Sequence, residues 1–557
     1  MIRLFLTFEL QKIASYFKTG KVAKLITGLL FVLVFTFVGV GLYYFFLSGF
    51  RFVNFSVEQE IQAPLTLFIY EVFLLVMAGV VVFSALVSGM FSLFRGEYDA
   101  WIISSPSYKV FPKIVLIKSL LTSSWPLFVM FLPAVLAFDK VYHLHTLVLV
   151  CILISVVVLL VLLNAISLLS ILLLSSLYYK IAQKSKRIHF SFGGLVTLFS
   201  IVTIAIISKV WSAVSTVDLV KLFKADNIDV NVSIQTISSH FTLLPTHPLA
   251  LEILNWQNKH TSEALLTFSY LCILTLVAVI SWWKISHLFY PLWQKFQEGS
   301  TGISEKEMTS KSRRATYYFT GSKTMALFKK EALVFRRNVK GVLWFLFLLG
   351  LWFAQVGTNI VLHHNIVRYQ TDVSEKLAVF QALQFIIAVY FICSFALRFV
   401  FPSFSVEKKT AWILGSAPLS FIRIFFSKYL FYIAFFVSMG TLMSYINFMI
   451  LNLTYTYGLY SMTLFISTVI FIVTLGLCLG ALFPSTDTDD PEMISTSMPG
   501  LFFTALSLIY GALSAGVLYL TLTKGLVSLL VIFIALTYIM VGILLLHVPY
   551  RVTTRNL

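Results

Sequence analysis

The feature that most constrains this chain is a succession of long apolar runs that contain no Asp, Glu, Lys or Arg. Twelve occur, at 25–47, 72–94, 119–138, 146–179, 191–208, 264–283, 341–362, 377–397, 429–451, 459–484, 501–522 and 526–546. A helix needs about 20 residues to cross the roughly 30 Å hydrocarbon core of a bilayer. Backbone N–H and C=O groups have no water partners there, so continuous Leu/Phe/Val/Ile runs predict helices rather than strands. A membrane barrel would show alternating ten-residue segments. The expected fold class is all-α: a polytopic membrane protein with about 12 transmembrane helices. The run 146–179 is read as one helix that projects beyond the bilayer, because no charge or Gly/Pro turn divides it.

Charge then sets orientation. Only 11% of the 557 residues are charged, against 59% hydrophobic, which excludes a soluble single domain, a disordered chain and a disulfide-stapled module. With the amino terminus inside, 32 of the 41 Lys and Arg residues fall on inner segments, while the acidic residues divide almost evenly. Lys and Arg alone govern topology, so both termini are expected to be cytoplasmic. The +18 net charge is accounted for in this way and predicts no nucleic-acid partner. The segment before the first run is expected to lie along the inner leaflet as an amphipathic helix. It does not read as a cleaved signal, since no A-x-A site follows a 23-residue apolar run. The four cysteines each sit in an apolar run and predict no metal or redox site.

The runs divide into two sets of six, predicting parallel repeats: a first half with its interfacial helix at 1–293, a basic cytoplasmic linker at 294–323, and a second half at 324–557. The same pattern follows the second run of each half. The first copy has Glu97, Ala-Trp101-Ile, Ser-Pro106 and then Lys118. The second has Glu407, Ala-Trp412-Ile, Ser-Ala-Pro418-Leu-Ser420 and then Lys428. Trp and Lys at a span end also suit plain interfacial anchoring. Together the residues predict a short cytoplasmic helix that could carry force from a soluble partner into two spans.

These repeated residues resemble the inner loop of ABC-2-type exporter permeases, and the whole chain is similar to the duplicated members in which two six-span halves are fused. Lys330-Glu331 and the run Leu475-Gly-Leu-Cys-Leu-Gly-Ala-Leu-Phe-Pro484 are further points of similarity. The resemblance implies a permease subunit of an ATP-driven exporter in a bacterial plasma membrane. It implies coupling loops at about 95–113 and 406–423, with Glu97, Trp101, Pro106, Lys118, Glu407, Trp412, Pro418, Ser420 and Lys428 in the motif. It further implies two copies of a separately encoded ABC ATPase on the cytoplasmic side, which would bind ATP and Mg, so that this chain would be neither an enzyme nor a holder of any cofactor. No G-x-x-x-x-G-K-[ST] run occurs. An ion-coupled secondary transporter is the alternative. It would need ionisable groups inside the spans, and the twelve runs carry none. A membrane-embedded enzyme would need acids, bases or metal ligands gathered on one face.

Other polar features read as structural. Asn164, Gln355, Asn359, Gln381, Gln384 and Asn447 are expected mainly to join helices, with a minority lining a substrate path. Asp490-Pro491-Glu492 reads as a helix start. The long outer segment 214–260, which contains His247, corresponds to a position that in related exporters holds short re-entrant helices. His240, His247, His363 and His364 show no ligand spacing.

Overall fold

The computed structural model describes, apart from a few positions within them, residues 36–51, 59–95, 111–184, 194–201, 241–301, 323–368, 373–407, 419–451, 455–484 and 494–555. Among these residues there is no strand, and the all-α polytopic fold holds. Among the described residues, eight helices are long and apolar enough to cross a membrane, or nine if one bent pair is a single span. The chain divides into two compact units, one formed mainly by 36–316 and the other mainly by 317–557.

In the first unit α1 (Gln59–Arg95) is followed by α2 (Phe111–Ser123), α3 (Trp125–Tyr142) and α4 (Thr146–Lys184). The 39 residues of α4 form one unbroken helix, about 58 Å long at 1.5 Å per residue, as its uninterrupted apolar sequence requires. The run 119–138 is not one span. It breaks at Ser124, because Pro126 lies in the first turn of α3 and supplies no N–H. Asn164 of α4 seals the break. Its Oδ1 accepts from Ser119 Oγ at 2.7 Å and Ser123 Oγ at 2.8 Å, and its Nδ2 donates to Ser124 Oγ at 3.0 Å. Asn164 therefore joins helices, as its place inside an apolar run predicts. The short α5 (His247–Gln257) and the long α6 (Thr261–Ile285) follow, then α7 (Phe289–Thr301).

The second unit opens with α8 (Lys323–Arg337) and α9 (Val339–Arg368), whose axes bend by 75°. Next come α10 (Val373–Phe399), α11 (Phe421–Leu451), α12 (Tyr455–Leu482), α13 (Met498–Lys524) and α14 (Val527–Arg555). Of these, α12 is central: 89% of its apolar stretch is buried, and α10, α11, α13 and α14 all pack on it. Its glycines permit the closest approach. A Cβ on Gly480 would stand 2.1 Å from the carbonyl oxygen of Phe401, in the 3-10 turn Phe401–Ser403 that ends α10. The Phe401 ring stacks on Phe503 of α13 at 6.1 Å between centroids. Gly480→Ala must push this turn off α12 and is expected to cost about 1–3 kcal/mol. Thermal unfolding in detergent reads the loss. Gly516→Ala, whose Cβ meets nothing within 4 Å, should unfold like the parent.

Candidate functional site

Two buried polar clusters stand out, one in each unit. The more highly charged lies in the second unit, at the start of α11. Helix α11 begins two turns before the charge-free run, so Arg423 and Lys428 fall within its apolar span Phe421–Ile450. Lys428 is 1% exposed. An ammonium cannot be buried so deeply without partners, and it has three. Its Nζ is 2.9 Å from Glu331 Oε1, 3.0 Å from Glu407 Oε1, and 3.3 Å from the Ser403 carbonyl oxygen. Glu331 of α8 is 4% exposed and Glu407 8%. Lys330 completes the group, 3.2 Å from Glu331 and in contact with Glu407. Two cations and two anions leave no net charge. Burial pushes the Glu407 carboxyl up, but Lys428 and Lys330 outweigh it and hold the group below the usual carboxylate range. Glu407, placed just after the 3-10 turn of α10, is thus locked to α8 and α11.

This cluster brings together two of the motif residues, Glu407 and Lys428. It adds Lys330 and Glu331, which the spacing of the loop motif alone could not supply. Ser420 stands at the start of α11, where its Oγ accepts from Arg423 N at 3.4 Å. Lys118 is half-buried in α2 of the first unit. Glu97, Trp101, Pro106, Trp412 and Pro418 lie outside the described residues, as do the Asp487–Glu492 turn and His240.

The first unit's cluster involves α1, α4 and α5. Glu71 of α1 is fully buried and pairs with His247 Nδ1 at 2.5 Å. Glu252, five residues on in α5, is also fully buried. Its Oε1 accepts from Ser155 Oγ of α4 at 2.7 Å and from Trp256 Nε1 at 3.3 Å. Tyr70 donates to Gln257 at 2.9 Å. Burial raises the Glu252 carboxyl to about 7, and the bonds from Ser155 and Trp256 only partly offset this. Glu71 and His247 are 176 positions apart in the chain, so no local spacing could have revealed the pair.

A family model described as "Putative ATP-binding cassette" matches residues 20–555. The chain belongs to that family. No curated protein and no solved structure is matched. The family description overturns the resemblance to ABC-2-type permeases drawn from the loop motif. The motif is short and degenerate, and the family match covers nearly the whole chain. Three dependent expectations are corrected with it. The chain is not assigned as a permease subunit working for a separate ATPase, non-enzymatic character is no longer assigned, and ATP is not assigned to a partner alone, because the description attaches ATP binding to the family itself. What stands is an ABC transporter protein with transmembrane helices, embedded in a membrane.

The described residues do not supply a familiar cradle for ATP. The glycines that meet neighbours most closely in the second unit are closed off by them: Gly458 by Phe448, Gly480 by Phe401, Gly500 by Ser495, Gly511 by Val389. Among the described residues no group of three His, Cys, Asp or Glu could hold a metal ion.

Proposed function

We propose that this chain is an ATP-driven membrane transporter in which nucleotide-dependent motion reaches the spans of the second unit through the Lys330–Glu331–Lys428–Glu407 cluster. The observation that carries the reading is the reach of the family match, which runs through every candidate span. The cluster suits the coupling role because it ties three separate elements, α8, the end of α10 and the start of α11, into one charged joint. Such a joint has two stable conditions, paired or separated, and a small displacement is enough to choose between them. The segment 408–418 leads out of Glu407 and back to α11, so force applied there is delivered to the joint. The distribution of Lys and Arg supports a plasma-membrane location with both termini in the cytoplasm, and the Phe/Ile/Lys-rich composition suits a bacterium.

The test uses the full chain purified alone in nanodiscs. Photolabelling by 8-azido-ATP, displaced by excess ATP, is expected. ATP with vanadate should also change tryptic cleavage at Lys408 and Lys409. In the neutral triple variant Glu331→Gln, Glu407→Gln, Lys428→Met, labelling should persist and the cleavage change should vanish. A chain that takes no label and shows no nucleotide-dependent cleavage would overturn the reading.

A further inference from the structure

At the far end of α11 from the ion cluster the second unit holds a cleft of about 430 Å³, its open mouth included. Nineteen residues separate Lys428 from Asn447, about 28 Å of helix. The cleft lies between α10, α11 and α12. Three amides, those of Gln381, Gln384 and Asn447, face two serines and the rings of Phe385, Phe448 and Phe465. Among the described residues no charged side chain lines it, so an ionic headgroup or a metal ion finds no counter-charge from them.

The amides are not equivalent. Gln384 Oε1 accepts from Gln355 Nε2, which fixes that side chain. Gln381, one turn earlier on α10, is 5% exposed, yet its Nε2 has no hydrogen-bond partner among the described residues. A buried amide donor left unpaired costs on the order of 1–3 kcal/mol. An acceptor brought into the cleft would remove that cost. The acceptor must be neutral and must sit on an apolar body, because aromatic rings form the rest of the wall. Phe385 and Phe465 meet edge to face at 5.5 Å. The space also depends on a missing side chain: a Cβ on Gly458 would stand 2.1 Å from the Phe448 ring.

Depth identifies the ligand. Gln384 begins the apolar stretch of α10, Asn447 lies one turn before the end of that of α11, and Gly458 begins that of α12. The cleft therefore lies at the boundary between hydrocarbon and the polar interface. Acyl-ester carbonyls of diacyl lipids occupy this level, between the headgroups and the chains.

We propose that the cleft binds a diacyl lipid by one ester carbonyl, with Gln381 Nε2 as donor and the Phe rings against the adjoining acyl chain. This assignment does not depend on how ATP drives the protein.

The experiment places the full chain in nanodiscs of dialkyl ether phosphatidylcholine, whose lipids lack ester carbonyls. A trace of ester-linked phosphatidylcholine carrying a diazirine on the acyl chain beside the ester is added and photolysed. Labelled peptides are mapped by mass spectrometry. Label is expected on peptides containing Phe385 or Phe448, displaced by unlabelled ester lipid two- to ten-fold better than by added ether lipid, the range one hydrogen bond provides. Gln381→Leu should lower the cleft label by the same factor while label on the lipid-facing side of α14 stays constant. Gly458→Ala should lower it by moving the Phe448 ring. Equal displacement by ester and ether lipid, or cleft label unchanged in Gln381→Leu, would overturn the proposal. So would displacement by N-acetyl-leucinamide alone, which would assign the cleft to a peptide amide. The ester-against-ether comparison uses the unmodified chain, so a variant that failed to fold would leave the test intact.

Discussion

Lys428→Met is expected to destabilise the second unit by about 3–5 kcal/mol, a large fraction of what holds any domain together. Methionine matches the length and apolar stem of lysine, so the loss isolates the charge. Without it Glu331 and Glu407 remain buried with only Lys330, which is itself partly exposed. Thermal unfolding in detergent reads the effect. Making all three residues neutral, as Glu331→Gln, Glu407→Gln and Lys428→Met together, should recover most of the stability, since the desolvation cost of each ion disappears along with its attraction. A triple variant no better than the single one would show that the cluster is held by shape and not by charge balance. The pH dependence has a definite sign. Because Glu407 is held below the usual carboxylate range, its contribution is complete above the ordinary carboxylate value and is lost as pH falls through the folded value. Acid should weaken the native cluster, and the neutral triple variant should lack that limb.

The sequence was most legible where the physics is local. Apolar runs predicted helices because lipid leaves the backbone no other partner, and α4, α13 and α14 form along their runs nearly as read. It misled wherever a distant residue decides the outcome. Ending each run at the first charge placed the start of α11 after Lys428. The helix in fact carries that lysine inside, because Glu331, 97 positions earlier, and Glu407 neutralise it. The run 119–138 looked like a single span, but Pro126 and the Asn164 network divide it. The loop motif drew attention to Glu407 and Lys428, which the fold places in one buried cluster, yet its likeness to a permease family misjudged the family. A short spacing pattern reports how a chain re-enters a membrane, which many transporters share. It does not report where ATP is handled. Glu71, just ahead of the apolar run 72–94, and His247, without ligand spacing, became a buried pair only through the tertiary fold.

Glu252 provides the second large effect, with the opposite pH sign. Its carboxyl is raised from the ordinary value of about 4.5 to about 7, so docking α5 against α1 and α4 favours the protonated form. The docked state is therefore fully favoured below pH 4.5. It weakens as pH rises through the interval up to 7 and levels off above, with a total swing of about 3 kcal/mol. Among the described residues the groups around Glu252 do not supply a compensating cation: Ser155 and Trp256 donate neutral hydrogen bonds. Glu252→Gln keeps an acceptor for Ser155 and removes the titration. Amide hydrogen exchange of the peptide covering α5, corrected for the intrinsic pH effect, should show protection falling between pH 5 and pH 8 in the parent and staying level in the variant. Helix α4 should stay protected in both, because its apolar length holds it independently of α5. If α5 kept the same protection at both pH values in the parent, the titration of Glu252 would not govern its docking.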